Sequence, residues 1–127
     1  MPEAKTPALG SIAWIDLTVP NAEALRDFYA SVTDWRSDPV SMGDYEDYCM
    51  LPPGSDAPVA GVCHARGANA KLPSQWLIYI SVRSLAASIE RCLALGGKLL
   101  DGPRPVGKQQ FCVIQDPSGA VAGLIEG

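Results

Sequence analysis

Apolar residues dominate residues 12–19, where polar positions alternate with them from Asp16 on, and dominate again over 76–82, and each run leads into a segment of helical periodicity. In the first run Trp14, Asp16 and Thr18 fall on one face and Ile15, Leu17 and Val19 on the other. Ile12–Val19 therefore reads as a strand whose Ile/Leu/Val face packs on helices, while its Trp/Asp/Thr face looks into something polar or hollow. Asn21 is placed to cap a helix in which Leu25, Phe28, Tyr29 and Val32 stand at i, i+3, i+4 and i+7 as one inward stripe, closed by Thr33–Asp34. Short strands follow at Trp35–Val40, Tyr45–Leu51 and Val59–Ala65, punctuated by Met42–Gly43–Asp44 and by Pro52–Pro53–Gly54.

The same order then repeats. Trp76–Val82 is a strand, and Ser84 caps a helix with Leu85, Ile89, Cys92 and Leu93 inward. Gly96–Gly97 ends that helix by supplying a left-handed residue. Strands at Lys98–Leu100, Gln110–Ile114 and Val121–Ile125 complete the second half, with DPSG at 116–119 as a turn. The pattern predicts an α+β fold of two tandem βαβββ modules, about 11–66 and 75–126, joined by a polar connector over 67–74 and preceded by a frayed lead-in over 1–10. One such module buries too little apolar surface alone, so the two are expected to form curved mixed sheets around a cup-shaped cavity.

Composition narrows the function classes. At 127 residues the chain has the length of one domain, and a net charge of −4 with a pI of about 4.8 provides no footprint for nucleic acid or an anionic membrane. The first ten residues lack a basic-then-apolar signal, and no apolar run reaches bilayer length, so a cytoplasmic protein is expected. Cys49, Cys63, Cys92 and Cys112 stand singly, as small buried hydrophobes do in reducing compartments. Nucleotide-binding glycine loops, a Ser–His–Asp set and a zincin HExxH pattern are missing.

With the elements in place, IDLTVPNAEALRDFYASVTDW, LALGGKLLDGP and FCVIQDPSGAVAGLIE resemble the vicinal oxygen chelate superfamily, the glyoxalase/bleomycin-resistance/dioxygenase fold, over roughly residues 11–126. WLIYISV together with PVAGVCHARG looks like a single-chain, mostly uncharacterised branch of it. The resemblance implies a divalent-metal site with one ligand on the first and the last strand of each half, typically His, Glu, His and Glu. By the flanking motifs three of those positions fall on Trp14, Leu77 and Gly123, and the fourth lies within Val59–Cys63, where there is no carboxylate. An indole, an isobutyl group and a hydrogen atom offer no lone pair to a metal, so no metal and no cofactor is expected. The resemblance also implies a two-fold homodimer, which two apolar sheet faces would suit.

What is left is an organic binding site. Trp14 would supply an aromatic wall, or else plug the core; Trp76 should face the helices. Tyr79, two residues after Leu77, shares its face and could contact a ligand, and Asp16 shares that of Trp14. On the third strand either Glu46 and Tyr48 or Tyr45 and Asp47 face inward, and alternation does not say which. His64 is the only histidine and the one group whose reference pKa lies near neutrality, so it is the ready general base, or a structural anchor for the connector. Arg66 and Asn69 would hold a carboxylate ligand or order the connector. Arg104, in a loop near the cavity mouth, would meet an anion or stand in solvent. Asp16, His64 and Glu46 form a carboxylate–histidine–carboxylate set of the non-haem iron type, though at no known spacing. The leading expectation is a metal-independent small-molecule-binding protein. The alternatives are a lyase, isomerase or dioxygenase working through His64, Asp16 or Tyr79, and an interaction protein with a collapsed cavity.

Overall fold

The computed structural model describes residues 8–126, so the first seven positions of the expected lead-in lie outside the described residues. The order is β1 Ile12–Val19, α1 Ala22–Thr33, β2 Arg36–Ser41, β3 Glu46–Leu51, β4 Ala60–His64, a 3-10 turn Gly67–Asn69, β5 Trp76–Val82, α2 Leu85–Ala94, β6 Lys98–Val106, β7 Gln109–Gln115 and β8 Val121–Glu126. These are the two βαβββ modules of an α+β fold. Compact packing divides the chain slightly differently: one unit is Ile15–Trp76, and the other combines residues 8–14 with 77–126. Among the described residues no helix is long and apolar enough to cross a membrane.

In the first unit the strands run β2-β3-β4-β1, with β1 parallel to β4 and the other pairs antiparallel. Leu17, Val19, Tyr48, Met50 and Val62 form the core with Ala22, and Leu25, Tyr29, Trp35 and Trp76 pack against it. Leu17 and Val19 thus face α1, as the alternation of β1 predicts. Trp76 turns toward the same helix, its Nε1–H donating to the Tyr29 hydroxyl at 3.0 Å. The inward stripe of α1 is narrower than its periodicity suggests, since Phe28 and Val32 are 53% and 63% exposed. At about 100° per residue Ala22, Leu25 and Tyr29 share an arc of about 60°, and Phe28 falls about 60° to its other side. Val32 lies in the last turn, beyond Tyr29, the last α1 residue packed on the core.

The second unit runs β5-β8-β7-β6, with β5 parallel to β8 and the rest antiparallel. Residues 10 and 11 lie along β5, where Gly10 N–H donates to the Ser81 carbonyl and Ser81 N–H to that of Ser11. Leu85, Cys112 and Leu124 are the core here, with Ile80, Val82, Ile89 and Ile114 against them. Leu93 stays exposed because it stands about 80° round the helix from Leu85. Gly97 follows α2 where the chain passes so near that a Cβ would sit 2.5 Å from Cys92 Sγ and 2.9 Å from the Gln115 carbonyl. Strand β6 runs to Val106 rather than Leu100. Its prolines interrupt the pairing with β7 without ending it, which an end strand tolerates because one row of its backbone groups has no ladder to complete. Pro39 sits in β2, the end strand of the first unit.

The two helices start differently. Ser84 Oγ accepts the Ala87 N–H at 3.2 Å, and a Glu126 carboxylate oxygen accepts the Leu85 N–H, so α2 is capped twice and carries a negative charge at its positive end. Asn21 precedes α1 but its side chain makes no capping bond. At the far end of α1, Asp34 takes the left-handed conformation at φ 62°, and Thr33 Oγ1 donates to the Tyr29 carbonyl and accepts the Trp35 N–H. Ser84→Ala should therefore cost about 1 kcal/mol in a denaturant melt, and Asn21→Ala only a few tenths.

Candidate functional site

The internal repeat has a register. Val19 pairs with His64 and Asp16 with Gly61 across β1 and β4, while Val82 pairs with Glu126 and Tyr79 with Gly123 across β5 and β8. Three residues separate the two pairs in every strand, so the positions correspond one to one. Asp16 corresponds to Tyr79, Gly61 to Gly123, and His64 to Glu126; two residues earlier, Trp14 corresponds to Leu77. The fourth ligand position implied by the resemblance, unplaced by sequence motifs alone, is therefore Gly61.

In the second unit this position is closed. A Cβ at Gly123 would fall 2.2 Å from Tyr79 Cδ2 and 2.4 Å from Cε2, contacts that no side chain makes. The Tyr79 ring occupies the space a last-strand carboxylate would need. Phe111 meets that ring edge-on, with centroids 5.9 Å apart at 73°. The Arg104 guanidinium lies 4.8 Å over Phe111, and its Nε and Nη2 both donate to Asp101 Oδ2. Arg104 is thus half-buried on β6 rather than solvated in a loop, because it pairs directly across from Phe111. Leu77 and Val113 are sealed. A divalent metal does not fit the four family positions: Trp14, Gly61, Leu77 and Gly123 bring no lone-pair donor, and one is covered by an aromatic ring.

The first unit gathers different groups. Register places Asp16, Thr18, Gly61, Cys63 and Cys49 on the strand face opposite α1. Tyr48 is in the core beneath α1, and Glu46 is exposed at the start of β3, so neither shares a face with Asp16. Asp47, 6% exposed, accepts the His64 backbone N–H at 2.8 Å and stands 3.2 Å from its Nδ1, both through Oδ1. The imidazole meets Tyr45 edge-on at 5.5 Å and Tyr48 at 6.1 Å. Arg66 stacks on Tyr45 and Arg26 on Tyr48, at 4.1 and 4.7 Å. Asp16, His64 and Glu46 are not assembled: among the described residues no three His, Cys, Asp or Glu side chains come together as a metal ligand set. The sequence reading placed Asp47 only in one of the two possible inward pairs of the third strand and gave it no role at the site. The signal available was an acidic residue between Tyr45 and Tyr48 at the start of β3, which pairs with the strand that ends in the only histidine.

Electrostatics separate reactive from inert groups. Burial is the main cause that pushes the Cys63 thiol far up, with Asp16 and Asp47 adding to it, and the same cause raises Cys49. Cys112 is pushed up to about 11, again by burial first. Thiols so placed stay protonated near neutrality and are poor nucleophiles. Only Cys112 is fully buried; the other three cysteines are half-buried.

A sequence profile described as a glyoxalase-like domain matches residues 13–125. Among curated proteins, the chain is 29% identical over 127 residues to a Mycobacterium tuberculosis protein with the provisional name glyoxylase CFP32, covering 98% of this chain and 48% of that one. The chain thus spans about half the length of such relatives. Among solved structures, a glyoxalase/bleomycin resistance protein/dioxygenase superfamily member from Vibrio splendidus superposes with a TM-score of 0.59 at 12% identity, over 90% of this chain and 97% of that one. A Streptomyces coelicolor methylmalonyl-CoA epimerase in complex with 2-nitronate-propionyl-CoA superposes at 0.55 with 15% identity, over 94% and 96%. These structural likenesses establish the shared fold.

If Tyr79 and Gly123 exclude each other sterically, Gly123→Ala should lower stability by about 1–3 kcal/mol through overpacking. The same substitution should cost much less in a Tyr79→Ala background. A double-mutant cycle of denaturant melts measures the coupling, and additive effects would contradict the contact.

Proposed function

The chain belongs to the family of glyoxalase-like domains, and from that premise we propose that it is a metal-independent protein that binds a small organic molecule. The observation that carries the reading is the Tyr79 ring standing where Gly123 leaves no side chain. With it go three further family positions that lack donor atoms. A site stripped of ligand atoms and lined with aromatic groups is suited to an organic molecule rather than an ion. Tyr79 with the Phe111–Arg104 stack, within the second unit, supplies the contacts this reading uses. The Streptomyces epimerase complex supports it to the extent that the fold accommodates an organic ligand.

The same proposal includes homodimeric assembly in the cytoplasm. Sedimentation of the purified protein tests it, and a monomer at micromolar concentration would count against it. Catalysis without a metal is a second reading with one observation in its favour, the Asp47–His64 pair.

Elemental analysis of purified protein should find far less than one transition metal per chain. A metabolite screen by thermal shift should find a stabilising ligand, worth about 2.7 kcal/mol at a hundredfold excess over Kd, with a shift that a chelator leaves unchanged. One tightly held divalent ion per chain, whose removal abolishes the ligand shift, would overturn the reading.

A further inference from the structure

We propose that His64 and Asp47 form an acid–base centre in the first unit, able to hydrolyse small uncharged esters. The proposal does not depend on the binding reading. Asp47 is buried, and the 3.2 Å contact between its Oδ1 and Nδ1 suits an imidazole that carries its proton on Nδ1, since a carboxylate oxygen accepts. The lone pair is then on Nε2. The second contact from the same Oδ1, to the His64 backbone N–H at 2.8 Å, fixes the ring's origin as well as its tautomer. Tyr45 and Tyr48 limit its swing.

Nε2 has no hydrogen-bond partner among the described residues. No buried side-chain nitrogen there lacks one, so Nε2 is a nitrogen that solvent reaches. A base oriented by a buried carboxylate, with its lone pair open, is the arrangement general-base catalysis uses. In the corresponding place of the second unit stands Glu126, which is spent on capping α2. His64 caps nothing.

Charge selects the substrate. Arg26 is matched by Asp27 and Arg66 by Asp44, and Asp47, Glu23 and Glu46 leave the surroundings acidic. An anionic ester would be repelled. An uncharged one is not, and an aryl ester supplies a leaving group that departs readily. Nε2 takes a proton from water as the water oxygen bonds to the ester carbonyl carbon. The tetrahedral adduct then breaks its bond to the aryloxide, and the imidazolium returns the proton to that leaving oxygen. The products are a carboxylic acid and a phenol.

The test uses the full chain and p-nitrophenyl acetate near neutral pH. The rate should exceed that of free imidazole at the same concentration by about tenfold or more, and His64→Gln, checked for an unchanged melt, should lose that excess. Asp47→Asn should lower kcat with little change in KM if it folds. Independently of any variant, diethyl pyrocarbonate should modify the chain's only histidine and abolish the activity together. A wild-type rate no greater than that of imidazole, a His64→Gln variant that keeps it, or a histidine that resists the reagent would each overturn the proposal.

Discussion

The Tyr79 ring approaches β8 so closely that a Cβ at Gly123 would be 2.2 Å from one of its carbons. Only a residue without a side chain can pair with Tyr79 there, and the ring in turn sets what else the second unit can contain. Phe111 packs edge-on to it, Arg104 covers Phe111, and Asp101 takes two N–H groups of Arg104. That stack joins β5, β8, β7 and β6. The constraint is steric before it is chemical: the ring fills the space that any side chain at residue 123 would need.

The two units are built on one register and have diverged in what they do with it. At the end of the fourth strand, one unit places a carboxylate that closes the start of its helix, and the other a histidine turned toward a buried aspartate. In the middle of the first strand, one has an aromatic ring against a glycine and the other a carboxylate against a glycine. A duplicated frame fixes where side chains stand, and substitution at corresponding positions decides the chemistry. Asymmetry between the units is therefore where function should reside.

Local pattern made much of the fold legible. Alternation in β1, the apolar run of β5 and the Ser84 cap are properties of neighbours in sequence. Leu25 with Tyr29 and Leu85 with Ile89 likewise show the buried helix faces, although Phe28, Val32 and Leu93 show that an apolar residue at a helical spacing can still point past the core. The length of β6 was not legible, because Gly102, Pro103 and Pro105 signal a break that an end strand can absorb.

The sequence by itself determined the repeated strand–helix–strands order, the family resemblance and the lack of donor atoms at Trp14, Leu77 and Gly123, because each is a matter of residue type at a local spacing. Only the tertiary structure decided that Gly61 corresponds to Gly123, that Tyr79 closes the space above it, and that Asp47 orients His64 from seventeen residues away. Those facts depend on strand register and on distances between segments remote in the chain, and a one-dimensional periodicity carries neither.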